Sequence, residues 1–331
     1  MDRDNIPRSN GSKQALSLEQ WENYYRSGAI ATCPTAVDGG YDLEVRQAWV
    51  AFFSTLPDGA RLLDVGTGNG VIPLIAAETA ASLGRRWEIH GSDLARIDPV
   101  AQVRDGAKRF AGITFHPGVG TEKLPFEAGH FDAVSGHYAL EYTQTAAALA
   151  ELHRVLKPGG DAQFVVHHAD SILLRTAHAS LRDSDLVFKE TKLYRKLHKL
   201  VTMEQATPGV TERATNELRA AIQALKQALP AARQAGGGRI LTVALDATQK
   251  LLEARKTLRP ELAGNEVDRA EADLRASTRR LHDLIEHARD AAAMEALQDE
   301  ANAAGFTAIE RLPQYHGGDN LVGWLLMMRR P

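Results

Sequence analysis

Cysteine is almost missing from this chain: one residue, Cys33, in 331. A lone thiol excludes an internal disulfide framework and suits a reducing compartment. With no identifiable base beside it, Cys33 reads as an ordinary thiol and not a nucleophile. Long apolar runs are missing too. No stretch approaches the roughly 18 to 20 apolar residues of a membrane span, and the N-terminus shows no charged-then-apolar leader. The expectation is a cytoplasmic protein without a membrane segment. A net charge of −3 carries no global bias toward nucleic acid. Metal-binding clusters are equally scarce. His167-His168-Ala169-Asp170 is the nearest approach, but adjacent residues on a strand point to opposite faces, so no metal site is expected.

What the sequence does have is a glycine turn in an informative setting. Arg61-Leu62-Leu63-Asp64-Val65 reads as a strand, Gly66, Gly68 and Gly70 follow, and Val71 to Leu83 is compatible with a helix whose Pro73 falls in the first turn. Glycines at these positions permit positive φ and let a ligand approach bare backbone. A strand, a glycine turn and a helix N-terminus in that order offer free N–H groups to an anion. A nicotinamide or flavin dinucleotide fold would want G-x-G-x-x-G, whose third glycine position is occupied here by Val71.

Further strands follow at regular intervals: Trp87 to Asp93, Ile113 to Pro117, Phe131 to Ser135 and Asp161 to His167, with a helix over Ala146 to Leu156 stopped by Lys157-Pro158-Gly159-Gly160. Near the C-terminus, Ala291 to Ala304 reads as a helix, and Gly305 to Leu312 and Trp324 to Arg329 as two last strands. Four of these segments carry a shared signature: Leu63-Asp64-Val65-Gly66-Thr67-Gly68-Asn69-Gly70; the strand ending in Asp93; Leu124-Pro125-Phe126 followed by Phe131-Asp132-Ala133-Val134; and Leu152 to Gly160. In that order they resemble the class I S-adenosylmethionine-dependent methyltransferases, of the type 11-like kind.

The resemblance implies an α/β fold: a Rossmann-like, seven-stranded, mostly parallel sheet with helices on both faces, its last strand inserted antiparallel between its neighbours. It implies S-adenosyl-L-methionine as cofactor and S-adenosyl-L-homocysteine as product. Asp64, Gly66, Thr67, Gly68 and Gly70 would hold the methionine end, and Asp93 would accept the ribose hydroxyls with Leu94 beside it. Relatives often carry an Asp for the adenine amine where this chain has Gly120; Thr121 and Glu122 are the candidate substitutes. The segment Trp21 to Gly28, with Tyr41 and a helix from Leu43 to Thr55 after it, matches a region that folds over the cofactor, so Tyr25 and Tyr41 are candidates to seal the methyl group from water.

One departure is large. About 120 residues, 171–293, separate the fifth and sixth strands, and their patterning is helical: Ile172 to Met203, Thr211 to Leu229, Ile240 to Leu258, and a seam of Val267, Ala270, Leu274, Ser277, Leu281, Leu284 and Ala288 at coiled-coil spacing. Gly236-Gly237-Gly238 reads as a flexible joint. The seam needs a partner, either the 211–258 region folded back as a helical hairpin or a second copy of the chain in a homodimer. The expected organisation is an N-terminal helical lid segment (1–57), the cofactor-binding core (58–170), the inserted helical subdomain (171–293) and a C-terminal helix with the last two strands (294–331).

Methyl transfer is an in-line displacement, and it needs a base only when the acceptor must lose a proton. His137, which could also touch the cofactor, and His167 and His168 lie where open α/β sheets bind ligands, at the carboxyl edge, and are the candidate bases. Tyr138, Glu141, Tyr315 and His316 are the candidate pocket walls. The expected function is methyl transfer to a small-molecule O, N or C acceptor. Two alternatives use the helical arm: an RNA or protein methyltransferase, for which Lys189 to Lys199 supplies a locally basic run, and a non-catalytic cofactor-binding assembly module. The near charge balance of the insertion disfavours nucleic acid.

Overall fold

The computed structural model describes residues 11–30, 36–37, 40–41, 43–203 and 208–331. Cys33 lies outside them. The chain divides into two compact units, one of residues 1–172 and 287–331 and one of 173–286.

The first unit opens with helix α1 (Gly11–Arg26), a two-residue ladder of β1 (Ala36–Val37) with β2 (Gly40–Tyr41), and helix α2 (Leu43–Ser54). Helix α2 buries Val45, Trp49 and Phe53, a four-residue spacing that puts all three on one face. Next come β3 (Arg61–Val65), α3 (Val71–Ser82), β4 (Glu88–Asp93), the short α4 (Pro99–Gln102) and α5 (Gly106–Arg109), β5 (Ile113–Pro117), β6 (Phe131–His137), α6 (Thr145–Val155) and β7 (Leu156–His167). The remaining elements of this unit are α12 (Ala291–Ala303), β8 (Thr307–His316) and β9 (Asn320–Arg329). The sheet has seven strands in the order β5-β4-β3-β6-β7-β9-β8. Strands β3 to β7 run parallel, and β9 lies antiparallel between β7 and β8. Strand order therefore reverses between β3 and β6, which makes the carboxyl ends of these two strands the topological switch point.

The core on the α6 side explains the order of the sequence elements. Leu63, Val65, Phe131, Val134, Leu149, Leu152, Phe164, Val166, Leu297 and Leu326 form one buried cluster. Strands β3, β6, β7 and β9 contribute its apolar strand residues, and α6 and α12 cover them, as the near-continuous apolar runs of parallel strands require.

Several boundaries differ from the sequence reading. Strand β6 runs two residues further, so His137 ends the strand and is not in the following loop. The Lys157-Pro158-Gly159-Gly160 stretch lies inside β7 as a bulge, because Leu156 pairs with Phe131 while Asp161 pairs with Ala133. Lys157 closes the bulge by donating from Nζ to both Asp132 oxygens at 2.7 and 2.8 Å. Tyr315 and His316 fall within β8, not beyond it.

The second unit is helical: α7 (Ile172–Asp185, its first residue in the sheet unit), a π-helical turn at Leu186–Glu190, α8 (Leu193–Thr202), α9 (Pro208–Gln234), α10 (Arg239–Ala254) and α11 (Pro260–His287, its last residue in the sheet unit). Helix α9 starts at Pro208 and continues through Pro230, beyond the expected end. The seam residues Val267 and Leu274 join Leu197, Leu200, Leu218, Leu225 and Leu241 in one core. Helix α8 is thus a partner of the seam. The approach is close at Gly264, where a Cβ would lie 2.7 Å from the Thr202 methyl. The triple glycine is a clamped turn and not a free joint. Gly238, at φ +88, donates its N–H to Asp183 Oδ2 at 2.6 Å, and a side chain on Gly237 would meet the same oxygen at 2.7 Å.

Candidate functional site

At the switch point the glycine turn has the predicted backbone: φ is +62 at Gly66, +52 at Gly68 and +84 at Gly70. All three are also crowded. A Cβ on Gly66 would run into the Ala139 methyl, one on Gly68 would lie 2.7 Å from the Tyr25 ring, and one on Gly70 would lie 2.8 Å from Phe115. The turn is thus bounded by the segment after β6 and by α1, and only glycine satisfies both the angle and the space.

Asp93, at the end of β4, fixes this turn in place. Its Oδ2 accepts the Gly68 N–H at 2.8 Å and its Oδ1 accepts the Ala95 N–H at 2.8 Å. Burial raises its pKa to about 6 in spite of these two amides. Asp64 is buried beneath the turn, accepts the Ser135 hydroxyl at 2.7 Å, and burial raises it to about 7. Thr67 is buried and donates its backbone N–H to Ser92 at 3.0 Å. Leu94 is half exposed and lies over Gly120. Next to it Thr121 is buried, and Glu122 accepts the Gln144 N–H that opens α6, at 2.9 Å.

The segment over the turn is anchored by a residue that the sequence reading passed over. Asn69 Nδ2 donates to the carbonyls of Tyr25 and Ala29, at 2.8 and 2.7 Å, fastening residues 25–29 across the glycines. An Asn between motif glycines was the available signal. Trp21 extends the cover: it stacks on Tyr25 at 5.9 Å and meets Tyr142 edge-on at 6.2 Å. Tyr41 does not sit on the glycine turn; its ring packs 4.4 Å from His137.

The three candidate histidine bases are placed differently from expectation. His137 Nδ1 accepts the indole N–H of Trp49 at 3.1 Å. The neutral ring therefore carries its proton on Nε2, and the lone pair a base would use is committed. Burial, and then His167, hold its pKa well below the usual imidazole range. His168 stacks on Trp324 at 4.3 Å, its Nδ1 accepts the Asp170 N–H at 2.9 Å, and burial lowers it. His167 is enclosed against Tyr138, ring on ring at 3.8 Å, and burial followed by His287 lowers it to about 3. Burial thus favours the neutral form of all three rings, and the Nδ1 lone pairs of His137 and His168 already accept hydrogen bonds. Trp49, 88 residues from His137 in sequence, could have been flagged as a buried indole that needs an acceptor.

Around His167 the structure gathers a second set of groups. Tyr138, at φ +54, turns the chain after β6 and donates its hydroxyl to the Val322 carbonyl at 2.9 Å. Glu141 is 1% exposed, and its Oε1 accepts the His167 backbone N–H at 2.7 Å. Arg289, missed in sequence, reaches the Glu141 carbonyl from Nη2 at 3.5 Å. Tyr315, by contrast, is 43% exposed on the edge strand, and His316 lies 3.9 Å from the Glu44 carboxylate of α2. No group of His, Cys, Asp and Glu suited to a metal occurs among the described residues. No helix among them is long and apolar enough to cross a membrane.

A glycine turn after the first strand of a seven-stranded sheet, locked to an acidic residue at the end of the second, defines a class I S-adenosylmethionine-dependent methyltransferase domain. Residues 62–160 match the model of a methyltransferase domain. A ubiquinone/menaquinone biosynthesis C-methyltransferase of Burkholderia vietnamiensis is 29% identical over 161 residues, which are 45% of this chain and 64% of that relative. The counterpart from Burkholderia thailandensis is similar to the same extent. The chain thus spans 64% of the length of these curated relatives. Among solved structures, the 1,6-didemethyltoxoflavin-N1-methyltransferase of Burkholderia thailandensis, with bound 1,6-didemethyltoxoflavin and S-adenosylhomocysteine, is 20% identical. It has a TM-score of 0.38 and covers 51% of this chain and 68% of its own.

Proposed function

We propose that this chain transfers a methyl group from S-adenosyl-L-methionine to a small-molecule O, N or C acceptor. The observation that carries the reading is the turn lock, with Asp93 tied to Gly68 at the switch point under the cover of Tyr25. The residues present fit such a cofactor. The glycine turn would take the methionine end beneath the Tyr25 ring, and Asp93, although tied to two amides, has acceptor capacity left for ribose hydroxyls. Leu94 and Thr121 would stand on the adenine side. When bound, the cofactor supplies an electrophilic methyl on a sulfonium. The protein's share is to align the acceptor and exclude water, a role for which the ring contacts of Trp21 with Tyr25 and Tyr142 would serve.

Calorimetric titration with S-adenosylmethionine tests it. Asp93→Ala is expected to weaken binding by about 1 to 3 kcal/mol, the size of charge-assisted hydrogen bonds to a ligand. An affinity equal to that of the unaltered protein removes Asp93 from the cofactor site.

A further inference from the structure

The polar groups beyond the glycine turn are not explained by cofactor binding. Glu141 Oε2 and His167 Nδ1 are buried, and neither has a hydrogen-bond partner among the described residues; the same holds for Arg289 Nε and His137 Nε2. A buried polar atom without a partner costs about 1 to 3 kcal/mol, more when charged. Four of them, on His137, Glu141, His167 and Arg289, call for a partner that the described residues do not supply. The segment is next to the cofactor cradle. Ala139, two residues before Glu141, limits the space at Gly66, and Trp21 bridges Tyr25 over the turn to Tyr142.

The groups that act on Glu141 define its chemistry. His167 gives it a backbone N–H and has a neutral ring, and Arg289 contributes the nearby positive charge; the Tyr142 ring lies 6.1 Å from that of His167 and 4.7 Å from that of His287. The N–H bond to Oε1 fixes the carboxyl group, so Oε2 has a defined direction.

We infer that Glu141 is the proton acceptor of this site and that the methyl acceptor it serves carries a weakly acidic O–H or N–H, as in a phenol, an enol or a heteroaromatic N–H. This rests on the methyl-transfer reading above. In the step, the acceptor's O or N forms a bond to the methyl carbon while the carbon–sulfur bond breaks and its electron pair returns to sulfur. The O–H or N–H proton passes to Glu141 Oε2 and from there to solvent after product release. The charges balance: a cationic sulfonium and a carboxylate become a neutral thioether and a carboxylic acid. Burial raises Glu141 to about 7 while Arg289 draws it down, which suits proton exchange at neutral pH. Aliphatic alcohols, with far less acidic protons, fall outside this acceptor class.

The experiment uses the full chain with S-adenosylmethionine and a panel of 4-nitrophenol, catechol, 2-hydroxypyridine and xanthine, together with 1-butanol. Product is followed as S-adenosylhomocysteine, and cofactor affinity is measured in parallel. Methylation of a phenol or N–H member and not of 1-butanol is expected, with a rate that rises with pH through about 7. Glu141→Gln is expected to lose about 100-fold or more in kcat, the usual contribution of a positioned base, while cofactor affinity stays within twofold. Glu141→Asp should restore part of the rate and shift the pH profile. Full activity and an unchanged profile in Glu141→Gln overturn the assignment. So does a loss of rate that Glu141→Asp fails to restore in part, or cofactor binding without methylation of any panel member. A folded protein that binds no cofactor overturns instead the methyl-transfer reading on which the assignment rests.

Discussion

At the scale of single residues, the site is built from acids and histidines whose proton affinities burial shifts, upward for the acids and downward for the histidines. Asp64 shows the consequence for stability. Its carboxyl is shut in beneath the glycine turn and raised from 3.8 to about 7, so the folded protein holds a proton that the unfolded chain releases. The native state thus binds more protons than the unfolded state between these values. The stabilisation is complete below pH about 4 and is lost as pH rises to about 7. Asp64→Asn, which can still accept the Ser135 hydroxyl, removes this contribution. Melting temperatures at pH 5 and pH 8 should fall more for the unaltered protein than for Asp64→Asn; parallel behaviour of the two would contradict the assignment. The histidines show what sequence could not supply. His137, His167 and His168 were legible as residues at the carboxyl edge, because strand ends are readable from apolar runs. Their partners were not legible, since Trp49 reaches His137 from 88 positions away and rings lose their basicity through packing that no local pattern encodes.

At the scale of elements, strands and glycine turn were legible because each carries its own periodicity or turn chemistry. The failures were where a distant side chain finishes a turn. Gly236 to Gly238 looks free until Asp183 is seen accepting at Gly238, and the Lys157 to Gly160 stretch looks like an ending until Asp132 takes up Lys157. The cover over the glycine turn belongs to this class. Asn69 holds it by two hydrogen bonds, together worth about 1 to 3 kcal/mol. Asn69→Ala should loosen residues 21–29 selectively. Hydrogen exchange read by mass spectrometry would show faster exchange in that segment and unchanged protection of β3 and β4. Equal exchange in both proteins would mean that aromatic packing alone holds the cover.

At the scale of the whole chain, the two units have separate apolar cores, one around Phe164 and Leu152, the other around Leu197 and Leu225. The points where the chain leaves and re-enters the sheet unit are adjacent. Ala169 donates to the Arg289 carbonyl at 3.0 Å, and Arg289 donates to His167 at 2.8 Å. Residues 287–293, expected in the insertion, therefore belong with the sheet. Replacing 173–286 by a short Gly/Ser linker should leave a folded protein with the circular dichroism of an α/β domain and retained cofactor affinity. An unfolded product would show that the sheet unit depends on the insertion. The central claim is that the glycine turn holds S-adenosylmethionine or its product. Glycine-selective 15N labelling tests it most directly: with S-adenosylhomocysteine added to the full chain, the amides of Gly66, Gly68 and Gly70 are expected to shift saturably at one equivalent. Saturable binding that leaves these three resonances in place, or no binding by the folded protein, would contradict it.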